Sequence, residues 1–438
     1  MSRRVTKAEA STQVPKDPLL EIGAPGLQIY SGYVQEEFLP ELSGNKAMRV
    51  FREMALNDGM IGAILFAIRM LIRQVDWHIR PASPEPEDEV AAEFLRTCQQ
   101  DMTHSWTEFL DDLLWMLTYG FALHECVYKR RRGISGQTPS RFSDDRIGWA
   151  RLPVRSQLSV LKWEHDEWGR DILGVWQTFA PPKFESVYIP SDRLLLFRPT
   201  AYRNNPEGMS ILRTAYRSWF FKKRVENFEG IGVERDLAGI PVIGLPPMLF
   251  DPNAPAGVKA QLEQWKKIAT NLRVNEQTGL VIPRAFDPQT GNELYKVELL
   301  STGARRMFDT NSIINRYDQR IAMSVLADFI LIGHEKAGSF ALNSSKTELF
   351  AVAVGAWLDA IQDVFNRQAV PRLFALNPEF KLEALPTFQH GDTESIDLAE
   401  LGAFITALSG SGMLSPDEQL ENHLRRTAGL PTLEAEER

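Results

Sequence analysis

The chain has 438 residues, 44% of them hydrophobic and 24% charged, which excludes wholesale disorder and allows a substantial core divided over two or more units. Its formal net charge is −8, whereas a protein that grips nucleic acid tightly carries a surplus of Lys and Arg. From Gly391 onward there are 10 Asp or Glu against 3 Lys or Arg, and the other 390 residues hold 47 acidic and 46 basic groups.

The opening MSRRVTKAEASTQVPKDP is basic but has no apolar run behind it, so it reads as part of a flexible arm over residues 1–44 rather than a signal peptide. Apolar residues then recur at helical spacing from Asn45 to Val75, predicting one long or broken helix that ends near Trp77. Its most apolar window, Met60 to Ile72, contains Arg69 and is shorter than the about 20 residues a membrane helix needs, so no membrane partner is expected. Pro86 and the acids after it open a second helix through Leu95. Ser105 with Glu108 forms a capping box for a helix from Trp106 to Tyr119, which Gly120 closes.

Beyond Gly120 short alternating runs separated by turn residues predict a mainly antiparallel sheet region, with strands near 121–129, 147–152, 158–164, 173–179, 186–189 and 194–199. A stretch from Ser210 to about Asp236 without proline predicts a long helix. Strands at 241–247, 278–283 and 294–299 and a helix at 258–272 make a compact α/β insert. A second long helix over 302–331, a Gly and Ser rich loop GHEKAGSFALNSS from Gly333 to Ser345, and a third long helix from Lys346 to about Leu373 follow. A short extended piece at 378–386 and small helices at 395–408 and 416–424 finish the chain.

Catalytic signatures are missing. The seven histidines are scattered singly, without the i, i+4 spacing of a helical metal site, so no metal or cofactor is expected. His124 and Cys126 share one face of a strand, which suits two metal ligands or a thiol and its base, but ordinary packing is favoured because no further Cys joins them. Both cysteines, Cys98 and Cys126, are expected as free thiols in a reducing cytoplasm. No G-x-x-x-x-G-K-[ST] phosphate loop and no G-x-S-x-G elbow occur, and Gly230, Gly232 and Gly239 do not have dinucleotide-loop spacing. The run Arg130 to Arg132 reads as a solvated turn in preference to a contact with phosphate or with an acidic neighbouring subunit. Arg213, Arg217, Lys222, Lys223 and Arg224 interleave with Tyr216, Trp219, Phe220 and Phe221, a pattern that suits either nucleic acid or packing against other long helices.

The segments DGMIGAILFAIRMLIRQVDWHIRP, YGFALHECVYK, NNPEGMSILRTAY and RYDQRIAMSVLADFILIGHEKAGSFALNSSKTELF, in this order and spacing, resemble the tailed-phage portal proteins and among them the Mu-type portal family, over about residues 45 to 375. The resemblance implies an α+β portal fold: a wing of α/β character over 45–208, stem helices over 209–239 and 301–332, and a small α/β clip over 240–300. A tunnel loop over 333–345, a tunnel helix over 346–376, and a crown with the acidic tail over 377–438 complete it. It also implies a non-enzymatic subunit of a dodecameric ring in the virion, at one vertex of the head, assembled in the host cytoplasm. Double-stranded DNA would pass through it without sequence preference. The other implied partners are the major capsid or scaffold protein, the terminase large subunit and a head-completion adaptor.

Carried onto this chain, His334, Lys336, Ser339, Asn343 and Ser344 would face the channel, Gln264, Lys266 and Lys267 would belong to the clip docking surface, and Tyr216, Trp219 and Phe220 would pack between subunits. Two rival readings are a nucleic-acid-processing enzyme, for which the catalytic signatures are missing, and another head component such as a connector or minor capsid protein, which would lack central tunnel helices.

Overall fold

The computed structural model of the chain describes residues 23–134, 138–179, 182–238, 240–271, 286, 296–300, 309–325 and 340–391. It falls into two compact units, one made of Met1–Arg213 with Val325–Arg438, the other of Thr214–Ser324.

The first unit opens on a small antiparallel hairpin, β1 (Ile29–Tyr30) and β2 (Tyr33–Val34). The helix expected over 45–75 is broken into α1 (Gly44–Asn57) and α2 (Gly59–Gln74), bent by 89°. Asp58 makes the break: its backbone is extended, and its carboxylate accepts from the N–H groups of Met60 and Ile61 at 3.0 and 3.1 Å, starting a new helix. Strand β3 (Trp77–Arg80) follows, then α3 (Pro86–Gln100), which runs past Leu95 because Cys98 still belongs to its buried face. Helix α4 (Trp106–Leu113) starts with both halves of the Ser105/Glu108 capping box in place. Helix α5 (Trp115–Tyr119) ends at Gly120, whose φ of 95° requires glycine.

Eight strands come next: β4 (Ala122–Glu125), β5 (Val127–Arg130), β6 (Ile147–Arg151), β7 (Val154–Arg155), β8 (Val160–His165), β9 (Ile172–Thr178), β10 (Ser186–Pro190) and β11 (Leu194–Phe197). All pair antiparallel, as their alternation predicts, but in the small separate sheets β10-β9-β8, β11-β4-β7 and β5-β6. Single-turn 3-10 helices at Gln157–Ser159 and Ser191–Arg193 interrupt the runs and re-aim the chain between sheets. The NNPEGMS turn is knitted to the end of α5. A Cβ on Gly120 would stand 2.6 Å from the Glu207 carbonyl oxygen and 2.9 Å from Ser210 N, and Ser210 Oγ donates to the Thr118 carbonyl at 2.6 Å.

The second unit is a hairpin of long elements: α6 (Tyr216–Ala238), β12 (Ile240–Gly244), α7 (Ala256–Asn271), β13 (Lys296–Leu300) and α8 (Thr310–Ser324). Helices α6 and α8 are antiparallel, held by Lys222 Nζ to Asp318 at 2.6 Å, Thr310 Oγ1 to Glu229 at 2.5 Å and the stacked rings of Phe221 and Tyr317. Lys222 and Glu229 lie two turns apart, hence on one face. Strands β12 and β13 extend the hairpin, with Ile240 opposite Leu300 and Gly244 opposite Lys296. The strand expected at 278–283 lies outside the described residues.

The chain returns to the first unit as α9 (Phe340–Val364), a π-helical turn (Phe365–Ala369), α10 (Val370–Ala375) and β14 (Thr387–His390), which pairs with β3. Pro371 has no N–H to donate, and the wider π turn before it keeps the rod continuous. By length and composition Leu349–Ala375 is apolar enough to cross a membrane, a longer stretch than the Met60 to Ile72 window. One face of it is buried in the first unit, with Phe350, Val354, Leu358, Ile361 and Phe365 all at most 2% exposed, while Leu349 and Val352 stand exposed. The Phe365 ring lies 5.0 to 6.2 Å from those of Phe388, Trp106, Phe109, Phe197 and Trp149.

Two asparagines complete the docking by standing in for peptide groups. Asn366 accepts from Phe388 N at 2.8 Å and donates to Phe388 O at 3.0 Å. Asn377 does the same for Ile147, at 2.8 and 2.9 Å. The segment expected to open the crown at residue 377 is therefore woven into the first unit, while the small helices expected at 395–408 and 416–424 lie outside the described residues.

Substituting Gly120→Ala forces a side chain into the left-handed region and against the Glu207 carbonyl. Thermal unfolding of the variant should show a loss of about 2 kcal/mol or more; a melting temperature equal to that of the parent contradicts the close approach.

Candidate functional site

Aromatic residues open α6. The Tyr216 ring lies 6.0 Å from Trp219 and 5.9 Å from Phe220. Trp219 is only 5% exposed within the single chain and packs in its core; Tyr216 and Phe220, the other two residues expected between subunits, are half-buried. The exposed apolar side chains stand farther along, with Phe228 71% and Ile231 44% exposed. Sequence reading passed over these two, although the signal was present: apolar residues are spread around the α6 circumference instead of forming one stripe, the pattern of a helix with more than one neighbour. The cations interleaved with the rings are engaged nearby. Lys223 lies over Trp219 at 5.2 Å, Arg224 over Phe220 at 4.3 Å, and Lys222 meets Asp318.

Gln264, Lys266 and Lys267 all stand exposed on α7, around Trp265, which is buried. Lys266 pairs with Glu263 at 2.8 Å, an exposed i, i+3 contact worth only about 0.3–0.5 kcal/mol. The 3-10 turn Pro247–Phe250 beside α7 buries Leu249 and leaves Met248 and Phe250 exposed. Sequence reading did not single out this apolar pair, because one short turn carries no periodicity.

Of the expected channel residues, His334, Lys336 and Ser339 lie outside the described residues. Helix α9 begins at Phe340, six positions before Lys346, so Asn343 and Ser344 belong to a helical backbone and not to a loop. The reason is local: between Phe340 and Val354 there is neither Gly nor Pro, and nothing breaks the helix. Farther along, Leu349 and Val352 are exposed, and the same face continues with Asp359 at 3.2 Å from His390 Nε2 and Asp363 paired with Arg367 at 3.4 Å.

The reactive residue types are committed to structure. His124 is fully buried, its Nδ1 2.8 Å from the Leu152 carbonyl and its ring 4.8 Å from Phe109, and burial pushes its pKa down to about 4. Burial raises the thiols of Cys98 and Cys126 to about 11, so neither is an ionised nucleophile at neutral pH. Among the described residues no group of three His, Cys, Asp or Glu is placed to hold a metal ion.

The Arg130 to Arg132 run is tied down. Arg131 is buried against Asp144 at 3.0 Å and over the Phe142 ring at 4.1 Å, while Arg130 and Arg132 both clasp Asp145. Beside them Lys129 and Asp101 form a buried ion pair at 3.0 Å. Burial opposes ionisation of Asp101, but the Arg141 N–H, Ser140 and Lys129 outweigh it and hold the carboxyl below its usual range. Glu207 is different: it lines a cavity of about 240 Å³ with Met48, Phe121 and Gln157, and burial raises its pKa to about 7.

A sequence model of the family described as "Portal protein of Mu bacteriophage" matches residues 48–430. Among solved structures, a chain in the virion of a native gene transfer agent particle superposes with a TM-score of 0.50 at 12% identity, covering 88% of this chain and 94% of that one. A chain in the neck of the same kind of particle, computed with C12 symmetry, gives 0.47 at 13% identity over 88% and 94%. An HK97 family phage portal protein from Corynebacterium diphtheriae gives 0.41 at 12% identity over 80% and 98%.

Two tests follow on stability. Trp219→Ala should cost about 3–5 kcal/mol in unfolding measurements on the unassembled chain, whereas Phe228→Ser should change stability by no more than about 0.5 kcal/mol; equal costs contradict the division of α6 into buried and exposed aromatics. Glu207 binds a proton in the folded state between its ordinary pKa of 4.5 and about 7, so its contribution is full below pH 4.5 and is lost as pH rises through 7. Glu207→Gln should therefore raise the melting temperature at pH 8 and leave it nearly unchanged at pH 5; the same shift at both pH values contradicts a raised pKa.

Proposed function

The chain belongs to the family of portal proteins of Mu bacteriophage, and from that premise we propose that its copies close into a dodecameric ring at one vertex of the phage head, the channel through which double-stranded DNA is packaged and later ejected. The match over residues 48–430 carries this reading. The subunit is assembled in the host cytoplasm and resides in the virion, in contact with the major capsid or scaffold protein.

The physical chemistry of the chain fits a passage better than a grip. Counterion release would make each fixed cation on a channel wall a brake on a sliding polyanion, and outside the acidic tail the charges nearly balance, at 47 acidic and 46 basic groups. Several of the cations are engaged with carboxylates or rings. The apolar side chains exposed on α6 call for cover by a neighbour, and a head-to-tail interface repeated around a closed ring supplies it to every copy. The segment 334–339 with Lys336 borders the channel, and the face of α7 with Gln264, Lys266 and Lys267, next to Met248 and Phe250, receives the terminase large subunit and then the head-completion adaptor. The role is structural and non-enzymatic, in keeping with the burial of His124 and both thiols.

Native mass measurement of the purified chain, paired with negative-stain images, tests the reading. A closed ring of twelve copies with a central hole is expected; a chain that stays monomeric or dimeric at high concentration overturns it.

A further inference from the structure

Two exposed patches on helices of the first unit carry opposite charge. On α1, Lys46, Arg49 and Arg52 follow one another at three-residue spacing and are all exposed, with Leu56, 60% exposed, at the end of the same stripe. None of the three has a carboxylate partner among the described residues. Like charges at this spacing destabilise a helix by a few tenths of a kcal/mol per pair, and no ion pair among the described residues offsets this. At the start of α3, Glu85 and Glu89, one turn apart, and Glu87 on the other side of the same turn are all exposed, with Val90, 53% exposed, beside them. Acids favour a helix N-terminus, which accounts for one or two charges there but leaves the patch itself uncovered. The two patches lie in different parts of the unit: α1 packs on α2 and α5, α3 on β3 and β6.

We propose that the basic stripe of α1 docks on the acidic first turn of α3 in the next copy of this chain, an ionic contact bordered by Leu56 and Val90. Two different, complementary patches on one chain are what a heterologous, head-to-tail interface requires, because each copy then offers one patch forward and the other back. Charge complementarity of this kind fixes register and suppresses wrong pairings more than it adds affinity. The inference rests on the ring reading above and adds to it a contact for which no residues have been assigned.

The test uses two variants of the full chain, Lys46→Glu/Arg49→Glu/Arg52→Glu and Glu85→Lys/Glu87→Lys/Glu89→Lys. Each alone sets like charge against like in every interface, so rings should be lost from native-mass measurements. Mixed in equal amounts, the two should assemble again, because an alternating ring restores opposite charge at every junction. Wild-type rings should also loosen as salt rises. Rings from either variant alone, or none from the mixture while both variants melt like the parent, overturn the pairing. If the α1 variant forms rings but retains less duplex DNA, the stripe faces DNA and the pairing is wrong. Should a reversal fail to fold, the Gln versions of the same triplets take its place and should need higher protein concentration to assemble; an unchanged concentration overturns the proposal. Absence of rings from the wild type would instead sink the ring reading itself.

Discussion

The first unit depends on a long helix that must return, after more than a hundred residues spent in the second unit, to the same strands it left. Phe365 fixes it there, inserted among Trp106, Phe109, Trp149, Phe197 and Phe388 from four other segments. Burial of a side chain this size contributes about 1.5–3 kcal/mol, but apolar burial has no direction. Direction comes from amide groups: Asn366 and Asn377 each present a donor and an acceptor to one strand residue, as a neighbouring strand would. Their register is strict, since a shift of one position leaves a buried peptide unpaired on both sides. Asn366 lies within the π turn Phe365–Ala369, and Asn377 follows α10.

Among the described residues of the second unit, the buried side chains are fewer and include Trp219, Leu249, Trp265 and Ile321. Its two antiparallel helices meet along a seam that includes the Lys222–Asp318 ion pair, the Thr310–Glu229 hydrogen bond and the Phe221–Tyr317 ring stack. A helix pair covers only part of each circumference, so Phe228 and Ile231 on α6 remain in solvent in the lone chain. In the ring proposed above, a neighbouring copy covers these side chains without any enlargement of the subunit. The same economy governs charge. Some of the cations are paired locally, as Arg130 and Arg132 are on Asp145.

Most elements were legible because their signals are local. The Ser105/Glu108 box, the glycine stop at residue 120 and the alternation of the strands each act within a few positions. The break at Asp58 was legible only as an alternative, because its capping role competes with continuous apolar periodicity on both sides. What sequence could not reveal was long-range: which aromatic residue of α6 turns inward, that Asn377 reaches back to Ile147, and that Asp144 and Asp145 neutralise a basic run thirteen or more residues away. The start of α9 was misplaced for a different reason: the Gly and Ser rich wording around Gly338 was extended over residues whose helix propensity is ordinary. Family membership was legible from the order of four weak segments, none of which carries catalytic chemistry.

The central claim is that the faces a single chain leaves open are covered by its neighbours around a channel. A density map of the assembled ring resolved to side chains tests this most directly. Phe228 and Ile231 buried against the adjacent copy, with residues 334–339 at the lumen, is the expected result. A ring in which both side chains remain in solvent, or in which that segment lies on the outer rim, would contradict it.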